Sequence, residues 1–68
     1  MQYVYLQDDP DFCRVYYVNR VTGGMYCIQD DGRLRSNRFH FYRCSRDGEP
    51  SYEIPMPAKE KFDRYLVP

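Results

Sequence analysis

The sequence has no tryptophan, a single histidine and no two cysteines in a Cys-x-x-Cys pair. It lacks any apolar run near the roughly 18 residues that a membrane-spanning helix requires. It also lacks a charged-then-apolar leader, so neither a bilayer span nor a signal peptide is expected. Those absences point to a reducing compartment and a cytoplasmic setting, the host cytoplasm if the chain is viral. No glycine-rich phosphate loop, calcium-loop spacing, internal repeat or low-complexity linker occurs. His40 and Cys44 are four residues apart on one extended stretch, about 13 Å at strand rise, so no thiol–imidazole pair forms locally. The chain therefore reads as non-enzymatic, with no cofactor and no small-molecule substrate.

Net charge is also absent, but only in total. Residues 1–31 hold five acids against two Arg, residues 32–46 hold five Arg and no acid, and residues 47–68 hold five acids against three bases. The molecule is dipolar, so uniform attraction to DNA is not expected, while a local basic patch is.

What is present is aromatic. Eight Tyr and four Phe stand among 68 residues, 43% of them hydrophobic, which predicts one folded domain over residues 1–68. A chain this short buries only about 60% of its unfolded surface, so its core is small. Turn residues divide it into runs rich in Val, Ile, Tyr and Phe, giving strands over 2–7, 12–21, 25–29, 33–44 and 51–56. Asp31-Gly32 suits a two-residue type I′ turn. The end changes period: Ala58, Phe62, Tyr65 and Leu66 share one helical face, and Pro57 suits a first helical position. Lys59–Asp63 and Glu60–Arg64 would pair at i, i+4 on its outer side. The expected fold is α+β: a five-stranded antiparallel meander, open or curled into a small SH3-like barrel, with a helix over 57–67 packed on it.

"GRLRSNRFHFYRC", residues 32–44, carries the basic charge beside three aromatics. In a regular strand Phe39 and Phe41 face outward with Arg33, Arg35 and Arg43, a platform on which bases stack. A one-residue slip near Ser36-Asn37 instead turns Leu34, Phe39 and Phe41 inward and leaves Arg33, Arg35, Arg38, His40 and Tyr42 outside. A domain this small needs both Phe in its core, which favours the slip.

The basic side is then a solvated edge, a protein-docking face or a nucleic-acid surface. Arg and Tyr are enriched at binding hot spots, which favours a protein partner held by Arg33, Arg35, Arg38, His40, Tyr42 and Arg43. The alternative is a single-stranded nucleic-acid or RNA module using Arg33, Arg35 and Arg38 with Phe39 and Phe41 stacking. The stretch resembles the basic-aromatic strand of the RNA-recognition motif but lacks its glycines, and the chain lacks that family's βαβ order. In "RVYYVNRVTGGMYC", Tyr16-Tyr17, Asn19 and Thr22 resemble the central strand and turn of WW domains. That family has a Trp at each end of its motif, and this chain has none.

Cys13, Cys27, His40 and Cys44 compose a Cys₃His set, but strand spacing holds His40 and Cys44 too far apart for one metal unless the chain bends at Tyr42-Arg43. With Gly23-Gly24 as a two-residue turn, Cys27 faces Arg20 and not Cys13, so no hairpin disulfide is expected. Asp8, Asp9, Asp11, Asp30 and Asp31 fall in turns, where carboxylates cap backbone N–H groups. The expected function is that of a small stand-alone binder that blocks or modulates a larger complex. Phages and mobile elements encode many such inhibitors, including anti-CRISPR-like proteins.

Overall fold

A computed structural model describes residues 1–30 and 39–65. Five strands follow in chain order: β1 (Tyr3–Asp9), β2 (Arg14–Asn19), β3 (Met25–Asp30), β4 (Phe39–Cys44) and β5 (Pro50–Ile54). Each pairs antiparallel with its sequence neighbour, in the order β1-β2-β3-β4-β5. The sheet is a meander as expected, and it stays open because β1 and β5 do not pair.

Alternation sorts the side chains onto two faces. Tyr3, Val15, Tyr17, Ile28 and Phe41 form the core face together with Phe62. Rings interlock there. Tyr3 meets Phe41 edge-on at 5.3 Å, Tyr26 stacks on Phe41 at 5.1 Å, and Tyr17 meets Phe62 edge-on at 4.8 Å. Such pairs add about 0.5–1.5 kcal/mol each beyond area burial. Phe41 is 1% exposed, and Phe39 packs against the same cluster. Both rings therefore point inward, opposite to the nucleic-acid platform. The slip at Ser36-Asn37, the Asp31-Gly32 turn and Leu34 lie outside the described residues.

The expected C-terminal helix is absent. Residues 59–61 make one 3-10 turn, and the chain on either side is extended. Among the described residues the fold is hence a β-sheet with almost no helix, not α+β. The reason is tertiary. Extended chain lets Phe62 bridge Tyr3 and sink to 4% exposure, while the Asp63 N–H donates to the Tyr3 carbonyl at 3.2 Å. The Asp63 carboxylate accepts from the Tyr5 N–H at 2.8 Å. The Tyr17 hydroxyl donates to the Arg64 carbonyl. The exposed edge of β1 is thus satisfied, whereas an isolated helix of about ten residues is marginal. Instead of the expected helical pairs, Arg64 reaches Asp8 at 3.4 Å and lies over the Tyr5 ring at 4.3 Å.

Strand ends also differ from expectation. β2 begins at Arg14 rather than residue 12, because a turn over 10–13 ends with Cys13 in the left-handed region at φ 54°. It stops at Asn19 rather than 21, because the Asn19 side-chain oxygen accepts from the Val21 and Thr22 N–H groups. Gly23, at φ 78°, closes that loop by donating to the Asn19 carbonyl at 2.6 Å. Residue 19 thus faces 24, and Cys27 pairs with Tyr16, not with Arg20. β1 runs on to Asp9, with a register shift at Leu6 that turns this side chain outward, 45% exposed.

Candidate functional site

The second face of the sheet carries Arg14 and Tyr16 from β2, Met25, Cys27 and Gln29 from β3, and His40, Tyr42 and Cys44 from β4. Register aligns them in rows: Arg14, Gln29 and His40 form one, and Tyr16, Cys27 and Tyr42 the next. Among the described residues no strand or helical turn lies over this face; the C-terminal segment covers the other.

Arg14, the first residue of β2, stands at one end of this face. Its side chain is only 11% exposed. Nε donates to Gln29 Oε1 at 3.3 Å, Nη1 donates to the Tyr16 hydroxyl at 3.2 Å, and the guanidinium lies 4.7 Å from the Phe12 ring centroid. Glu49 Oε2 stands 3.7 Å from Nη1, beyond hydrogen-bond range. Burial works against the charged form, but Tyr16 and Glu49 outweigh it and the pKa is raised. The guanidinium opens into a cleft of about 580 Å³ between the Leu6 bulge and Phe12 on one side and the β4–β5 turn on the other. That turn is built locally: the Ser45 N–H donates to the Glu49 carbonyl at 2.8 Å, the Ser45 hydroxyl donates to the Asp47 carboxylate, and Gly48 adopts φ 85°. These contacts hold the Asp47 carboxyl below its ordinary pKa.

The six expected partner-binding residues do not form one described set. Arg33, Arg35 and Arg38 lie outside the described residues. His40 and Tyr42 share the second face, where His40 Nδ1 meets Glu53 Oε2 at 2.7 Å. Arg43 alternates to the core face, its guanidinium 5.0 Å from the Tyr26 ring centroid and passing close over Gly24.

Comparison with protein-family models, with curated proteins and with solved structures finds no match.

The Cys₃His set is dispersed. Cys27 and Cys44 are buried together on the second face, Cys13 is exposed in the turn before β2, and His40 is held by Glu53. Among the described residues no three His, Cys, Asp or Glu side chains are grouped to hold a metal. Burial, and then the neighbouring Cys44, pushes the Cys27 thiol up to about 12; burial also raises Cys44. No described helix is long and apolar enough to cross a membrane.

Arg14, Phe12 and Glu49 were not singled out from sequence, and Tyr16 was noted only for its likeness to a WW-domain strand. One signal was available: strand parity in "RVYYVN" puts Arg14 and Tyr16 on a single face. Their meeting with Glu49 depends on the bend of the β4–β5 turn, which no local pattern encodes.

Proposed function

We propose that this chain is a non-enzymatic binding protein that docks on a protein partner with the second face of its sheet. The observation that carries this reading is a row of Arg14, Gln29 and His40 beside Tyr16, with no described element packed over them. Arg and Tyr suit such a role: each joins a large contact area to directional hydrogen bonding. The narrower role, blocking or modulating a larger complex as phage-type or anti-CRISPR-like inhibitors do, rests on the uneven charge along the chain, with five Arg and no acid over residues 32–46.

Nucleic-acid binding by stacking on Phe39 and Phe41 loses its platform, since both rings are turned to the core. Affinity capture from cell lysate, compared between wild type and variants, tests the docking reading. His40→Ala and the triple charge reversal of Arg33, Arg35 and Arg38 are expected to remove the captured protein while the melting temperature holds. Capture that survives both sets of changes overturns the reading. A mobility shift with single-stranded RNA that weakens steeply with salt would favour the rival.

A further inference from the structure

We propose that the cleft above Arg14 is a carboxylate site, where Arg14 and Tyr16 hold an acidic side chain of the protein partner and Leu6, Phe12 and Met25 receive apolar atoms beside it. This deepens the docking reading and rests on it for the identity of the occupant.

A guanidinium removed from water needs close, well-aligned acceptors. Arg14 has two neutral ones, the Gln29 amide oxygen and the Tyr16 hydroxyl. The carboxylate that Arg14 faces as an ion pair among the described residues, Glu49, is 67% exposed and too distant for a hydrogen bond, so it compensates the charge loosely. The Tyr16 oxygen accepts from Arg14, which leaves its own proton to donate, and no described group takes it. Guanidinium and phenol together therefore offer two donors at the floor of the cleft, the pattern that suits a carboxylate. The walls supply the rest: Phe12 is 59% exposed and Leu6 45%, beside Met25. The volume falls within the range of ordinary ligand sites.

The lining also selects the charge of the occupant. Asp9, Asp47 and Glu49 line the same cleft as Arg14 and Arg46. Three carboxylates against two guanidiniums leave the lining net negative, which opposes a phosphate dianion about twice as strongly as a single carboxylate and disfavours phosphopeptides and nucleic-acid backbones. A monoanion can displace Glu49 and take its place facing Arg14. Glu49 is in this sense an internal competitor, delivered by the β4–β5 turn.

Titration of isotope-labelled protein with the blocked peptide acetyl-Ala-Phe-Glu-Leu-Ala-amide, followed by NMR, tests the site. The amides of Leu6, Phe12, Arg14, Tyr16 and Gly48 are expected to shift, and the Gln-for-Glu peptide to bind roughly tenfold more weakly. A phosphoserine-for-Glu peptide is also expected to bind more weakly. Glu49→Gln is expected to tighten binding of the Glu peptide severalfold, and Arg14→Gln to abolish discrimination between the Glu and Gln peptides. Should Arg14→Gln not fold, Phe12→Ser, at an exposed ring, is expected to weaken binding with the melting temperature unchanged. Equal binding of the Glu and Gln peptides, shifts confined to other residues, or no shift at millimolar peptide overturns the proposal. Failure here with capture still dependent on His40 sinks this inference alone. A normal titration with capture indifferent to His40 and the three arginines sinks the docking reading instead.

Discussion

Among the described residues Tyr17 and Phe41 are the two largest side chains all but sealed from solvent, and both belong to one aromatic cluster. Phe41→Ala removes a ring that contacts Tyr3, Tyr26 and Phe62, which costs about 3–5 kcal/mol for a buried phenylalanine. That rivals the whole stability of a small domain, so the variant is expected to lack a cooperative thermal transition by circular dichroism. The three thiols differ as sharply. Cys13 is exposed, whereas Cys27 and Cys44 are buried with raised pKa values. Ellman's reagent is expected to titrate one thiol at once in the native protein and the other two only after denaturant is added. Three fast thiols would contradict the burial of the pair.

At the scale of elements, the decisive feature is the extended segment around Phe62. Phe62→Ala is expected to loosen it from β1, lowering the melting temperature and raising light scattering on storage as the freed edge finds other strands. Unchanged scattering would mean that Asp63 and Arg64 seal β1 without the ring. The same segment marks where sequence reading fell short. Ala58, Phe62 and Tyr65 fit a helical face, but they also fit an extended chain that drops Phe62 into the core, and only the open edge of β1 decides between them. β2 and β3 were legible because Val, Ile and Tyr crowd between turn residues. The ends of β2 were less so: the side chain of Asn19 sets a longer loop than Gly23-Gly24 alone implies. Of the candidate site, His40 and Tyr42 were readable from alternation. The Arg14 cleft was not, since it joins a bulge in β1 to a turn some forty residues later.

For the molecule as a whole, buried groups that must stay neutral set an upper pH limit. Burial lifts Cys27 from 9.0 and Tyr17 from 10.0, each to about 12, in the folded state. The unfolded chain releases these protons at lower pH than the folded one does. The stabilisation is therefore complete below pH 9 and is lost as pH rises towards 12. Urea midpoints are expected to fall progressively across that interval, and Cys27→Ala is expected to flatten the part of the decline that begins at the thiol. A midpoint indifferent to pH up to 12 would contradict the sealed environment of both groups.

The fastening of β1 by residues 62–64 also bears on how the chain is made. Ribosomes deliver all five strands before the residues that shut the first strand's flank. During that interval β1 offers unpaired amide and carbonyl groups to any neighbouring nascent copy.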